Sequence, residues 1–146
     1  MSTFLVTWNP EKFFWDPRDR ATVIKQTAVG HRSKGNWSVG GRKGGITPKQ
    51  DRVFLLRQGP KPRGIIASGW FTSAVYQDKQ WDGRPGALAN YARISWDLAL
   101  EDDDLLPLAV LKSQIPGVHW HPHGGGVLLL PPADVNLERL WAYHTG

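Results

Sequence analysis

The fold is predicted best by one stretch of the sequence, Arg52-Val-Phe-Leu-Leu-Arg-Gln-Gly-Pro-Lys-Pro-Arg-Gly-Ile-Ile-Ala-Ser-Gly-Trp70. Its two apolar runs, 52–57 and 63–70, are rich in the aliphatic and aromatic residues that strands favour. The five residues between them include one glycine and two prolines, which are typical of a tight connection. We therefore predict that the two runs form adjacent strands of a hairpin.

Apolar patterns on either side of this hairpin predict the remaining elements. Strands are expected at 3–8 and 89–96, and a glycine turn followed by a strand at 124–130. The helices predicted are one from Asp16-Pro17 to about Val29 with Gly30 as its C-terminal cap, a short one within 105–115 and one over 134–143. The acidic run 101–104 is expected to be a solvated loop. Together these elements predict an α+β fold, a curved sheet or small barrel of five or six strands with two or three flanking helices, in one domain over residues 1–146.

The composition excludes several classes of protein. The chain has 146 residues and no cysteine, which excludes disulfides, thiolate zinc sites and cysteine nucleophiles. No apolar run approaches the roughly 20 residues that cross a bilayer, and the first residues lack the pattern of a signal peptide. We expect a cytoplasmic protein that has no membrane partner and needs no cofactor.

Charge and tryptophan content point to a polyanionic partner. Residues 1–73 carry 13 Lys or Arg against four Asp or Glu, whereas residues 74–146 carry five against nine. The stretch 32–63 holds nine of the basic residues and includes Trp37 and the glycine-rich run 40–45. The whole chain has eight tryptophans. Charge arranged in this way predicts one basic face able to meet a polyanion such as nucleic acid, and the alternative is a solubilising surface of mixed sign, since charge alone does not decide between them.

An ordered series of short motifs resembles the EVE domain of the PUA-like superfamily, and more distantly the YTH domain. The likeness extends over roughly residues 3–141 and is nearest to the EVE-like module of HNH-type, modification-dependent restriction endonucleases. The motifs are Asn36-Trp-Ser-Val39, Asp51-Arg-Val-Phe-Leu-Leu-Arg-Gln-Gly59, Pro62-Arg-Gly-Ile-Ile-Ala-Ser-Gly69, Gln80-Trp81, Tyr91-Ala-Arg-Ile-Ser-Trp96, His119-Trp-His-Pro122 and Leu137-Glu-Arg-Leu-Trp141.

The resemblance implies a domain that flips a modified base, 5-methylcytosine or 5-hydroxymethylcytosine in DNA, into an aromatic pocket. It implies that the base lies against Trp37 and Trp81. Ser38 and Asn9 are candidates for hydrogen bonds to the base edge, and Trp15 and Trp8 are weaker candidates for the pocket wall. The cations expected to contact phosphates are Arg32, Lys34, Arg42 and Lys43.

The family resemblance further implies that the chain binds and performs no chemistry itself. A nuclease activity would belong to a fused or associated HNH-type partner in a restriction system. Modified RNA is an alternative ligand, because YTH relatives bind it and no residue of this sequence distinguishes the two nucleic acids.

Three histidines, His119, His121 and His123, suggest a different function. In an extended segment they would point to one face and could hold a metal ion for hydrolysis. Pro122 disturbs such a strand, and no carboxylate follows at short spacing. The alternative is therefore a metal-dependent hydrolase, and the favoured prediction for this segment is a loop or part of the nucleic-acid surface.

Overall fold

The computed structural model describes residues 1–146 and consists of one curved, unclosed eight-stranded sheet with three α-helices. The strands are β1 (Thr3–Trp8), β2 (Ser33–Ser38), β3 (Arg52–Arg57), β4 (Gly64–Phe71), β5 (Tyr76–Lys79), β6 (Leu88–Ala99), β7 (Leu106–Pro107) and β8 (Val127–Leu129). The helices are α1 (Pro17–Ala28), α2 (Leu108–Gln114) and α3 (Ala133–Thr145).

The strand order is β2-β6-β4-β3-β1-β8, with β5 added to β6 and β7 added to β4. The predicted hairpin is confirmed: β3 and β4 are antiparallel, with Arg52 opposite Trp70 and Arg57 opposite Gly64. A register shift at Leu55 and Leu56 bends the pair. β1 runs parallel to β3, so the residues that follow both strands leave the sheet at the same edge.

Both faces of the central strands are buried, which explains their nearly continuous apolar sequences. Phe4 and Val6 of β1 point into one core together with Trp96, whereas Leu5 points into the other core. The first core is covered by α1 and the second by α2 and α3, through residues such as Trp141. Alternation along the strands therefore divides the side chains between two layers.

The predicted helix boundaries agree closely with the structure. Asp16 caps α1 by accepting a hydrogen bond from the Arg18 amide at 2.8 Å, and Pro17 occupies the first helical position. Gly30, with φ +83°, turns the chain out of this helix. The other two predicted helices correspond to α2 and α3. No helix has the length and apolar character needed to cross a membrane.

The sheet has more strands than the five or six predicted. β2 and β5 are polar and β7 has only two residues, so none shows the apolar run by which a strand is recognised. The acidic run is also more structured than the predicted loop. Asp102 begins a 3₁₀ turn, and its carboxylate accepts a hydrogen bond from Arg20 of α1 at 2.7 Å.

Candidate functional site

A cavity of about 220 Å³ opens where the ends of β1, β2 and β3 meet. The curvature of the sheet brings β2 against β1, and the indole nitrogen of Trp37 donates to the Thr7 carbonyl at 2.9 Å. The cavity is below the range of about 300–1,000 Å³ typical of sites for drug-sized ligands, so it suits a single small heterocycle. Its lining consists of Thr7, Asn9, Lys12, Phe13, Asn36, Trp37, Ser38, Gly40, Gln58, Trp81, Tyr91, His123, Gly124 and Gly125.

Aromatic rings form one wall of this cavity. Trp37 is only 6% exposed, and its hydrogen bond to Thr7 fixes the plane of the ring. Phe13 lies edge-on to Trp37 at 5.3 Å and to Trp81 at 5.7 Å, measured between ring centroids. Trp81 is 40% exposed and comes from the connection between β5 and β6. The wall therefore has a rigid inner ring and a solvent-accessible outer ring, linked by Phe13.

The polar part of the lining retains unused hydrogen-bonding capacity. The Asn9 side-chain oxygen accepts from the Glu11 amide, and the Asn36 oxygen accepts from the Tyr76 hydroxyl. The amide NH₂ group of each asparagine makes no hydrogen bond within the chain. The Ser38 hydroxyl accepts from the Gly40 amide at 3.3 Å and keeps its own proton for another partner. A bound ring with polar edges would find donors on these three side chains.

Tyr91 contributes a buried phenol to the cavity. Its hydroxyl donates to the Lys79 carbonyl at 2.7 Å. Burial raises the pKa of Tyr91, partly opposed by a hydrogen bond with the Trp81 backbone, so the phenol remains a neutral donor through the physiological range. Tyr91 therefore ties the Trp81 loop to the sheet as a neutral group.

Glycines shape the floor, because backbone segments cross there at close range. A Cβ added to Gly125 would lie 2.9 Å from the Ser38 carbonyl oxygen and 3.3 Å from the Val6 Cα atom. Gly40 has φ +62° and lies against the Gly125 backbone. The contact closes the bottom of the cavity without any side chain.

The predicted pocket residues separate into two groups. Trp37, Ser38, Trp81 and Asn9 all line the cavity. Trp15 does not line it but packs behind Trp37, with ring centroids 4.9 Å apart. Trp8 lies behind Trp15, with ring centroids 5.3 Å apart, and its indole nitrogen donates to the Phe13 carbonyl. These last two rings support the wall from the core side.

The predicted phosphate contacts also differ among themselves. Arg32, Lys34 and Lys43 are exposed and form no ion pair. Lys34 and Asn36 are two residues apart on β2, so they point to the same side of the strand. Arg42 instead donates from Nε to the Gly126 carbonyl at 2.7 Å and lies over the Phe4 ring. Its guanidinium thus holds the glycine-rich loop against the 124–126 turn.

Several lining residues were absent from the sequence prediction. Phe13, Asn36 and Gln58 reach the cavity from three different parts of the chain, together with Lys12 and His123. Phe13 and Gln58 follow strands that run parallel and end at the same edge. That parallel pairing was the signal needed to group them, and no local pattern reveals it.

The histidine segment does not form the convergent site that an extended strand would produce. Residues 115–126 follow an irregular path, and the rings of His119 and His121 are 6.4 Å apart. His123 instead lines the cavity. No three His, Asp or Glu side chains come close enough to hold a metal ion, so the geometry required by the metal-hydrolase alternative is not present.

Comparison with known proteins identifies the fold. No family model matches the sequence, and no curated protein matches it. Among solved structures, a hypothetical protein from Leishmania major is similar over 100% of this chain and 98% of its own, with 13% identity and a TM-score of 0.65. Human THYN1 in complex with DNA containing 5-methylcytosine is similar over 100% and 99%, with 12% identity and a TM-score of 0.54.

The YTH domain of Mmi1 in complex with RNA is similar over 97% of this chain and 78% of its own, with 12% identity and a TM-score of 0.51. At these identities the likeness is one of architecture. The chain therefore shares the mixed α+β fold of these THYN1 and YTH-domain structures.

Proposed function

We propose that this chain is an EVE-type module that recognises a modified base in nucleic acid, by holding the flipped base in the cavity beside Trp37 and Trp81. The observation that carries the proposal is the cavity itself. It combines a rigid aromatic wall with unpaired donors on Asn9, Asn36 and Ser38. The preferred ligand is DNA that contains 5-methylcytosine or 5-hydroxymethylcytosine.

The energetics are consistent with base flipping. Extruding a base costs a few kcal/mol, and stacking on an aromatic ring returns about 1–3 kcal/mol for each base. An unpaired buried donor or acceptor would cost about 1–3 kcal/mol, so the free amide groups near the rings are needed as well. Stacking on Trp81, which is already exposed, requires no opening of the core.

Selectivity for the modification must come from the shape of the cavity. One buried methyl group contributes about 0.8 kcal/mol, which is less than a tenfold preference. A hydroxymethyl group gains more if the Ser38 hydroxyl or an asparagine amide reaches it. Affinity is therefore expected to come mainly from stacking and phosphate contacts.

We further propose that the chain acts by recognition alone, and that any cleavage belongs to a fused or associated HNH-type nuclease of a restriction system. The support is the aromatic and amide lining of the cavity, where no three His, Asp or Glu side chains converge on a metal site. Two solved structures of similar architecture contain nucleic acid: THYN1 with DNA that contains 5-methylcytosine, and the YTH domain of Mmi1 with RNA.

Modified RNA is the second candidate ligand, favoured by the likeness to the YTH domain solved with RNA. A direct comparison of DNA and RNA binding distinguishes the two candidate ligands. Matched DNA and RNA oligonucleotides, each with the plain base and its methylated form, should be titrated at two salt concentrations. A preference for methylated RNA over methylated DNA would replace the DNA proposal.

The test of the pocket uses Trp81→Ala. Loss of one stacking platform should weaken binding of the modified oligonucleotide by about 1–3 kcal/mol, measured by fluorescence anisotropy. Tyr143→Ala is the matched control, because Tyr143 is 89% exposed on α3 and lies outside the cavity. Trp37→Ala is unsuitable, since truncating a buried tryptophan costs about 3–5 kcal/mol of stability.

Trp37→Phe keeps a ring in the wall but loses the bond to Thr7, and it should reduce discrimination between modified and plain bases. Equal affinity of the wild-type chain for all bases would refute the proposal. So would a Trp81→Ala variant that binds like Tyr143→Ala.

A further inference from the structure

A second cavity, of about 330 Å³, adjoins the first. Asn9 and Gln58 line both cavities, so the two lie next to each other at the ends of β1 and β3. The remaining residues that line the second cavity are Leu56, Arg57, Gly59, Arg63, Leu108, Trp120 and His121.

The histidine segment is fixed in place at this cavity. The Gln58 side-chain NH₂ donates to the Pro122 carbonyl at 3.0 Å. Trp120 is buried, and its indole nitrogen donates to the Ile115 carbonyl at 3.0 Å. His121, which lies between Trp120 and Pro122, is thereby held at the rim while its own ring stays accessible.

All the titratable residues of the second cavity are basic. Arg57, Arg63 and His121 line it, and no acidic side chain does. Arg57 has an acidic neighbour, Asp102, whose carboxylate lies 3.4 Å from its Nε atom but outside this cavity. Arg63 forms no ion pair and donates only to the Gly59 carbonyl.

Two further basic groups add to the same field. Lys112 lies one helical turn beyond Leu108 on α2, which puts both residues on one face of that helix. Partial loss of hydration lowers the pKa of the accessible His121 ring, and the nearby charges of Lys112, His119 and Arg63 lower it further. Lys112 of α2 and Arg63 of the β3–β4 connection thus both act on His121, and no carboxylate lines this cavity.

We propose that this second cavity binds a phosphate group of the nucleic-acid strand whose flipped base occupies the first cavity, with Arg63 and Lys112 supplying the positive charge and the imidazoles of His119 and His121 supplying hydrogen-bond donors. The proposal rests on the proposed function for the source of the phosphate. An oxyanion relieves the mutual repulsion of these cations and accepts hydrogen bonds from the guanidinium and imidazole. These residues are distinct from the cations of the 32–43 stretch.

The experiment measures oligonucleotide affinity against salt for Arg63→Ala and Lys112→Ala. For each phosphate contact that is lost, the ratio of the affinity at about 50 mM salt to that at about 200 mM should fall by about 3.5-fold, from a slope of roughly 0.9 per contact. Arg139→Ala is the charge-matched control, because Arg139 is exposed on α3 and lines neither cavity. Arg63→Lys keeps the charge and should retain most of the slope.

The histidines provide a second readout. A phosphate beside His121 favours the protonated ring, so the pKa of His121 should rise when the oligonucleotide binds, and affinity should increase as the pH falls. Proton NMR titration of the imidazole with and without oligonucleotide measures both effects. Lys112→Ala should raise the pKa of His121 in the free protein, since it removes a neighbouring positive charge.

The outcomes separate this inference from the proposed function. Weaker, less salt-dependent binding of plain DNA by Arg63→Ala and Lys112→Ala supports the phosphate site even if no modified base is preferred. If Arg63→Ala and Lys112→Ala still prefer the modified base and show the same salt dependence of affinity as Arg139→Ala, the phosphate site is overturned and the proposed function is not. Inorganic phosphate is the comparison probe. If inorganic phosphate shifts the pKa of His121 as much as the oligonucleotide does, at equal phosphate concentration, the assignment to a nucleic-acid strand is overturned.

Discussion

The tryptophans of this chain have structural or binding roles according to their surroundings. Trp96 and Trp141 fill the two cores, whereas Trp70 is half-buried under the Arg52 guanidinium. Trp37 is as buried as a core residue, yet one part of its ring lines the cavity. Trp81 is accessible to a ligand. Burial alone therefore does not separate a structural tryptophan from one in a binding site.

The Tyr91 phenol should ionise above its usual pKa of about 10, because burial disfavours the charged form in the folded chain. Its contribution to stability is present below pH of about 10 and is lost as the pH rises through the folded-state value. Alkaline titration followed by tyrosinate absorbance should show a late transition. Tyr91→Phe should remove this transition, and Tyr143→Phe should not. Survival of the late transition in Tyr91→Phe would assign it to another group.

At the level of elements, the meeting of β2 with the turn before β8 creates the cavity. β2 pairs only with β6, and at its end the chain turns at Gly40 against the 124–126 segment. Arg42 donates a hydrogen bond to the Gly126 carbonyl in this segment, and Gln58 donates one to the Pro122 carbonyl just before it. The floor is therefore held by backbone contacts and two side chains from distant parts of the sequence.

Adjacent glycines in this turn should respond differently to alanine. Gly125→Ala places a Cβ against the Ser38 carbonyl oxygen and the Val6 backbone, so we expect a loss of about 1–3 kcal/mol in the free energy of unfolding. Gly124→Ala meets only the Gly40 Cα atom at 3.8 Å, an ordinary contact, and should change stability by less than about 1 kcal/mol.

Urea denaturation of both variants measures the difference. If both variants lose the same free energy of unfolding, the cause is the reduced backbone freedom at either glycine and not the close backbone crossing at Gly125. The two residues are neighbours and both line the cavity, so each serves as the control for the other.

At the scale of the whole molecule, Arg52 joins three elements. Its side chain is buried, with Nε 2.6 Å from the Glu138 carboxylate on α3 and Nη1 2.6 Å from Asp97 on β6. The guanidinium also lies over the rings of Phe54 and Trp70. Asp97 in turn accepts from the Ser68 hydroxyl. This network connects the sheet to the helix that covers its second core.

Replacement of Arg52 by Met should lower the free energy of unfolding by about 2–3 kcal/mol, measured in urea. Loss of one partner of a buried pair costs about 3–5 kcal/mol, and the cost is reduced here because Asp97 and Glu138 keep some access to water. Arg84→Met is the control. Its pair with Asp82 is solvent-exposed, so we expect less than about 1 kcal/mol. Similar losses for both variants would contradict a stabilising role of the network.

Much of the architecture was predictable from local sequence. The β3–β4 hairpin, β1 and the capped start of α1 carry strong signals: apolar runs, turn residues, and Asp16-Pro17 at a helix N-terminus. These signals depend on residues that are close in the chain. β2 and β5 lack them, because one is polar and at the edge and the other extends a hairpin with exposed side chains.

The sequence by itself determined the strands β1, β3 and β4 and the start of α1, because their apolar runs, turn residues and capping residues are close together in the chain. It also pointed to Trp37, Ser38, Trp81 and Asn9 as residues to consider together. Only the tertiary structure decided that they line one cavity with Phe13, Asn36 and Gln58, and that Trp8 and Trp15 stand behind it. The reason is that curvature of the sheet and the parallel pairing of β1 with β3 join segments that are far apart in the chain, and no local pattern encodes either.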